Sequence, residues 1–355
     1  MKFGIALPTW SDSWKLVKRA EDAGFSSAWF YDTQLLNAEL FAAMGAAAVK
    51  TEKIRLGSGV LIPTNRIAPV AAAGLATLNA LAPGRIDFGV GTGFTGRRTM
   101  GLPAITRANL KEYLRVVEGL LARDTVEWEF EGLRRKIRFL NPEMDLVNTT
   151  DRIALHVSAM GPKMRALTAE LGAGWLNFLV GGQAGALHEA AAMKEAWREA
   201  GRAEGELAAT AFIAGSVLAP GEAVDSPRAK AQAGPGAAVV LHNLVEGGFD
   251  GSAPASLPPF LAELLERYRE LYRGYSPADA RYLTLHRGHL MFLRPEEAPL
   301  ITAELIREMT FTATPDVLVE RIRALKAAGY TQVAIQIGPG QEDAIDDWAK
   351  VFERI

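Results

Sequence analysis

The chain is predicted to fold as a (β/α)8 barrel, an α/β architecture, on three observations. Short apolar runs alternate with amphipathic helical patterns, and counting gives about eight strands with helices between them. Several of the runs end in glycine or small polar residues, as at Gly91-Thr92-Gly93 and Gly338-Pro339-Gly340, where a barrel places its loops. The length, 355 residues, suits one barrel with insertions as well as two ordinary domains. A doubly wound open sheet shares the local pattern and is the alternative.

The elements follow in order. Residues 3–7 are an apolar strand closed by Pro8, too short a run for a signal peptide. Residues 11–23 have helical spacing and stop at Gly24, which suits a helix C-terminus. "SAWFY" at 27–31 is a strand, and the alanine-rich 38–50 a helix. Residues 54–61 form a strand carrying two glycines, 69–81 a helix opened by a proline, and 86–90 a strand. Thr106 is an N-cap for the helix at 108–122. Strands at 153–158, 175–179 and 211–217 alternate with helices at 163–171 and 187–200. A helix at 317–328, a strand at 332–337 and a helix at 343–352 close the pattern.

Two stretches break it. Residues 127–140, "WEFEGLRRKIRFL", alternate at period two on either side of Gly132 and read as an inserted β-hairpin. Residues 219–308 open with Pro220-Gly221 and contain "AGPGAA" and "GSAPASLPP", with helices near 230–245 and 260–273. This is read as an insertion after the seventh strand that caps one mouth of the barrel, so that 1–355 is a single domain.

Composition narrows the function. A formal net charge of −2 speaks against nucleic acid or an anionic membrane as partner and leaves a small molecule. The absence of cysteine excludes disulfides, thiolate metal sites and a thiol nucleophile. No apolar run approaches the roughly 20 residues of a membrane span, and the expected location is cytoplasmic.

The loop Gly91-Thr92-Gly93-Phe94-Thr95-Gly96 is a literal G-x-G-x-x-G. A dinucleotide fingerprint needs a helix opening at its third glycine, so that pyrophosphate meets the helix N-terminus. Here Gly101 and Pro103 interrupt any such helix, the acidic partner residue is missing, and the strand is the fourth rather than the first. The loop is instead a strand end at which glycines, lacking Cβ, let backbone approach a flat ligand.

The surrounding residues carry a resemblance. "IRLGSGVLIPTNRIAPVAAAGLATLNALAPGRIDFGVGTG", residues 54–93, resembles the third and fourth strands of the bacterial-luciferase-like superfamily of flavin-dependent oxidoreductases. It is most similar to the branch that uses the deazaflavin coenzyme F420, which includes methylenetetrahydromethanopterin reductases and F420-dependent glucose-6-phosphate dehydrogenases. Later matches are "AMGPKMRALTAELGAGW" at 159–175 and "TATPDVLVERIRALKAAGYTQVAIQIGPG" at 312–340.

The resemblance implies a luciferase-like barrel and a flavin-type cofactor, F420 or alternatively FMN. It implies a non-proline cis peptide at Gly59-Val60 against the central ring. Asp32 ends the second strand where the family has Asp-His, and Thr33 stands in the histidine's place; both become candidates for the flavin's polar edge or a catalytic water. Phe94 occupies a position that is a glutamate acid in the dehydrogenase branch, and a phenyl ring transfers no proton. The family sets the cofactor phosphate at the turn corresponding to Gly161-Pro162-Lys163, where Met160 and Gly161 offer backbone donors and Lys163 a charge. Arg66, Thr92, Gly93, Ser158 and Asn177 complete the expected cofactor contacts, with Asn65 and Gln336 as further strand-end polar groups. Trp10 and Trp175 are either stacking partners or core.

His286-Arg287-Gly288-His289 is the only histidine cluster; it lacks a third ligand for a metal, and His286 and His289 are candidate acid/base groups in the cap. The leading function is hydride transfer between F420 and a small organic substrate. The alternative is an FMN-dependent monooxygenase using O2. A flavin-binding protein without turnover, and a phosphosugar-type barrel enzyme without flavin, are rivals. The small side chains of 38–50 and 69–81 permit close helix packing, and family members often dimerise through this side of the barrel. A homodimer is therefore expected, and a monomeric mass by light scattering would count against it.

Overall fold

A computed structural model of the chain describes residues 1–179, 181–248 and 257–355. The first half runs β1 (Lys2–Leu7), α1 (Trp14–Asp22), β2 (Ser27–Phe30), α2 (Leu40–Lys50), β3 (Arg55–Ser58), α3 (Ala68–Leu81), β4 (Ile86–Val90), α4 (Phe94–Arg98) and α5 (Arg107–Leu121). A hairpin of β5 (Val126–Phe130) and β6 (Leu133–Ile137) follows. The barrel resumes with β7 (Ala154–Ser158), α6 (Pro162–Leu171), β8 (Gly174–Phe178), α7 (Gly182–Glu199) and β9 (Ala209–Ile213). The long insertion carries α8 (Pro227–Val245), α9 (Pro259–Arg273), α10 (Tyr282–Leu285) and α11 (Ala303–Met309), and the chain ends with α12 (Pro315–Ala328), β10 (Gln332–Gln336) and α13 (Ala344–Phe352).

Eight strands close in the order β1-β10-β9-β8-β7-β4-β3-β2, every pair parallel. Closure overturns the open-sheet alternative. Apolar side chains of strands and helices interlock in the main core, around buried Ile5, Phe30, Leu56, Phe88, Val157 and Ile335. A smaller cluster of Trp29, Tyr31, Leu176 and Phe212 fills the barrel's inside.

Two local readings change. The expected strand at 54–61 is regular only to Ser58. The Gly59-Val60 peptide is cis, and Leu61 rejoins the sheet through a bridge to Val90. Residues 94–98, expected to be non-helical, form the short α4 behind Gly93, whose φ of 82° suits only glycine without cost. Thr106 still caps α5, its hydroxyl accepting from the Asn109 amide at 3.2 Å. The helix expected near 230–245 is present as α8 and contains "AGPGAA": Pro235 sits inside it, and a Cβ at Gly234 would stand 2.5 Å from Leu293. These glycines admit neighbours rather than interrupt the helix. Of the second quoted stretch, residues 251–256 lie outside the described residues.

The insertion has its own apolar cluster, including Leu241, Leu261, Tyr268, Ile301 and Ile306. A buried polar knot runs through it. The Arg294 guanidinium, with no exposed surface, donates to Glu297 at 2.5 Å, to the Tyr268 hydroxyl at 2.9 Å and to the Tyr275 hydroxyl at 2.8 Å. His242 lies 3.0 Å from Glu297 through Nε2. Burial alone would raise the Glu297 carboxyl, but the hydrogen bonds from His242 and Arg294 outweigh it and hold it at about 2. Removing one member of such a knot leaves the others charged and unpaired. Glu297→Ala is therefore expected to destabilise the fold by about 3–5 kcal/mol in chemical denaturation, and a loss below about 1 kcal/mol would show the knot to be dispensable.

Candidate active site

A cavity of about 910 Å³ opens where the barrel strands end at their C-termini, between those ends and the insertion. Tyr31, Phe178 and Phe212 line its floor, and the two phenyl rings stack at 4.4 Å. Tyr31 donates its hydroxyl to the Gln336 carboxamide at 2.9 Å, and the Gln336 NH2 in turn donates to the Leu290 carbonyl of the insertion.

One wall is nearly bare backbone. Gly59, Val60, Gly91, Thr92 and Gly93 all border the cavity. A Cβ on Gly91 would lie 2.8 Å from the Val60 side chain, and one on Gly59 would lie 2.9 Å from Trp29 Cβ. At Gly59 and Gly91 the wall is therefore bare backbone, because these two positions admit no side chain.

Asp32 stands at the rim, 5% exposed. Arg66 Nη1 donates to both its oxygens, at 3.0 and 2.9 Å, and the Ile62 amide donates at 2.9 Å. Burial pushes the Asp32 carboxyl up, against the opposing pull of Arg66. Arg66 itself does not border the cavity. Its guanidinium pairs with Asp32 and Glu39. Thr33 borders the cavity beside Asp32.

At the far end α6 begins. Gly161 is its N-cap, Pro162 stands in the first turn, and exposed Lys163 carries a charge; Ser158, Met160 and these three all border the cavity. Arg107, the first residue of α5, also borders the cavity. A helix N-terminus beside a lysine is suited to an anionic group.

Asn177 does not reach this space. Leu176 and Phe178 face inward on β8, so Asn177 between them faces outward, and its amide donates to the Tyr330 hydroxyl at 2.7 Å. Trp175 shares that outward face, stacks on Tyr330 at 5.4 Å and donates its indole N–H to the Ala159 carbonyl; it is core. The histidines part company. His289 borders the cavity, Nε2 lying 3.5 Å from the Thr95 hydroxyl. His286 does not: it is buried behind, 3.2 Å from Glu246, which Arg98 pairs at 2.7 Å. Burial pushes His289 well below the ordinary imidazole value, and the neighbouring His286 and His242 push the same way. Among the described residues, no three His, Cys, Asp or Glu side chains converge to hold a metal ion.

Arg107, Asn37, Glu189 and Asn243 line the cavity and escaped the sequence reading. Glu189 on α7 borders the cavity, burial raises its carboxyl, and its Oε2 has no hydrogen-bond partner. The signal was its place beside Ala186 and Ala190 on the buried stripe of α7. Asn243 borders the cavity from α8, near the end of an apolar run.

The family model of luciferase-like monooxygenases matches residues 4–332. The chain belongs to that family. It is 29% identical over 357 residues to a 5,10-methylenetetrahydromethanopterin reductase of Archaeoglobus fulgidus, covering 97% of this chain and 96% of the relative. An F420-dependent glucose-6-phosphate dehydrogenase of Beutenbergia cavernae is 33% identical over 141 residues, 38% of this chain and 40% of the relative. Among solved structures, the F420-dependent tetrahydromethanopterin reductase of Methanopyrus kandleri superposes with a TM-score of 0.70 at 24% identity, covering 98% of this chain and 97% of its own; this likeness speaks for the shared fold. No helix among the described residues is long and apolar enough to cross a membrane.

The histidines make the family member acid-sensitive. His242 and His289 are both held below the ordinary value of 6.5, chiefly by burial. Below that value the unfolded chain takes up protons that the folded one refuses, so stability is full above it and falls as pH drops. The thermal midpoint is expected to be lower at about pH 5 than at about pH 7, and His289→Gln should shrink the difference. Equal midpoints at the two values would refute the assignment.

Proposed function

We propose that this luciferase-like protein is an F420-dependent oxidoreductase that transfers hydride between the deazaflavin and a small organic substrate. The observation that carries the reading is the glycine wall at Gly59-Val60 and Gly91, bare enough for a flat ring, in a cavity that also holds Lys163 at the start of α6. The F420-dependent relatives support the deazaflavin over FMN.

The residues fit such a group. Gly59, Val60, Gly91, Thr92 and Gly93 would flank the ring, with Asp32 and Thr33 at its polar edge. Ser158, the backbone of Met160 and Gly161, Pro162 and Lys163 would hold an anionic tail at the start of α6. The cofactor supplies the hydride chemistry; the chain holds the ring, excludes water and orients the substrate. His289, uncharged because it is buried, is placed to hold a proton toward a substrate heteroatom, with His242 and His286 behind it.

A homodimer through α2 and α3 belongs to the same reading. Val49 and Val70 on these helices are 61% and 51% exposed, which supports burial against a second copy.

The test is a fluorescence titration of the protein with F420 and, separately, FMN, each oxidised and reduced. Tight F420 with weak FMN binding is expected, and Lys163→Ala should weaken F420 by about tenfold, the usual worth of a charge-assisted contact. The reverse preference would replace the reading with an FMN-dependent monooxygenase. Binding of neither would overturn a flavin-type function, and an unchanged affinity in Lys163→Ala would remove the phosphate role.

A further inference from the structure

Among the described residues, two acidic side chains border the cavity, Asp32 and Glu189. Asp32 is satisfied, since Arg66 donates to both its oxygens and the Ile62 amide to one. Glu189 is not. Its Oε2 is closed in without a partner. Its Oε1 makes no hydrogen bond either but, unlike Oε2, keeps accessible surface. Glu189 shares a helical face with buried Gly182, Ala186 and Met193, so it points toward the barrel and not to bulk solvent. The open space on that side is the cavity, which Glu189 borders.

The donors near the carboxyl are engaged elsewhere. Asn177 donates to the Tyr330 hydroxyl at 2.7 Å, and Arg165 to the Met160 carbonyl at 2.7 Å. A half-buried carboxyl without a donor forfeits hydration that the fold does not return, and packing alone would put an apolar residue in this stripe. What could pair it follows from its surroundings. An anion would be repelled, and an apolar group would leave the oxygen dry. A cationic group would enter beside Arg165, whose charge already acts on Glu189. A hydroxyl, an uncharged donor, meets none of these costs. Arg165 also locates the site. It binds the Met160 carbonyl beside the start of α6 and acts on Glu189 from there, so the open oxygen lies on the side of the cavity assigned to the anionic tail.

We propose that Glu189 is a cofactor-binding residue that accepts at Oε1 from the hydroxyl groups of a polyol chain, the link between a flat ring on the glycine wall and an anionic group at the start of α6. This deepens the flavin-type reading and rests on it for the identity of the bound molecule. F420 and FMN both carry such a chain, so the role of Glu189 is the same with either.

The test uses the full-length protein and two matched pairs of probes, riboflavin with lumiflavin and deazariboflavin with deazalumiflavin. In each pair the first carries the polyol and the second a methyl group in its place. Affinities are read by fluorescence titration. Wild type is expected to prefer the polyol form of the ring it accepts by about tenfold, the worth of a hydroxyl given to a carboxylate. Glu189→Leu should abolish that preference without weakening the methyl forms. Glu189→Gln keeps an acceptor without the charge and should cut the preference to about threefold. If Glu189→Leu fails to fold by circular dichroism, Glu189→Gln carries the test alone. A wild type without preference, undetectable binding of all four probes included, overturns the proposal. So does a preference that either change leaves intact, because equal weakening of both members of a pair marks a structural role. A preference found with the flavin pair alone faults the deazaflavin reading and leaves Glu189 in its role. Deazaflavin binding with a polyol preference indifferent to Glu189 does the opposite.

Discussion

The site depends on how Trp29 fills the barrel. Its ring lies inside, its indole N–H donating to Gln332 at 3.1 Å and its edge against Phe212. A side chain that large leaves no room on the neighbouring strand: a Cβ at Gly57 would come 2.5 Å from the ring, and one at Gly59 would come 2.9 Å from Trp29 Cβ. Glycine is thereby imposed along the end of β3. From there the backbone passes to Val60, and the packing of Val60 against Gly91 imposes glycine on the residue just past β4 in turn. The bare wall of the cavity is the outer end of a packing constraint that begins in the core.

A second constraint ties the insertion to this wall. Gln336, at the end of the last barrel strand, joins Tyr31 to the Leu290 carbonyl, one residue from His289. Arg98 at the end of α4 pairs with Glu246 just past α8, and its guanidinium lies 3.6 Å from the Phe94 ring centroid. The loop after β4 therefore has two tasks. Its glycines make the wall, and its arginine fixes the element that faces the wall. Within the insertion, Glu297 holds Arg294 and His242 together. The position of His289 at the cavity is thus set by polar contacts on both sides of it.

The barrel was legible because its strands are apolar runs of four to six residues separated by helices with a clear buried stripe. Residues 86–90 match β4 to the residue. What failed has physical causes. α4 was missed because a one-turn helix has no periodicity to read, and Gly101 and Pro103 end it at once. Asn177 was placed by strand end alone, while the period of two turns it outward. His286 and His289 look equivalent in sequence, and only the tertiary fold puts one on the cavity and the other on Glu246.

The division of the cavity follows the division of the sequence. The segments that resemble the luciferase-like superfamily, at 54–93, 159–175 and 312–340, supply the glycine wall, the start of α6 and Gln336. In the proposed function these parts would face a ring and an anionic tail, and the bare backbone at Gly59 and Gly91 follows from the barrel's own packing. The insertion resembles nothing by motif, and it supplies the aliphatic face with Asn243 and His289. Recognition of the cofactor therefore reads from local pattern, because glycine, proline and lysine at strand and helix ends have local reasons to be there. Recognition of the substrate does not, because the side chains that the insertion brings to the cavity are placed there by tertiary contacts that no local pattern announces.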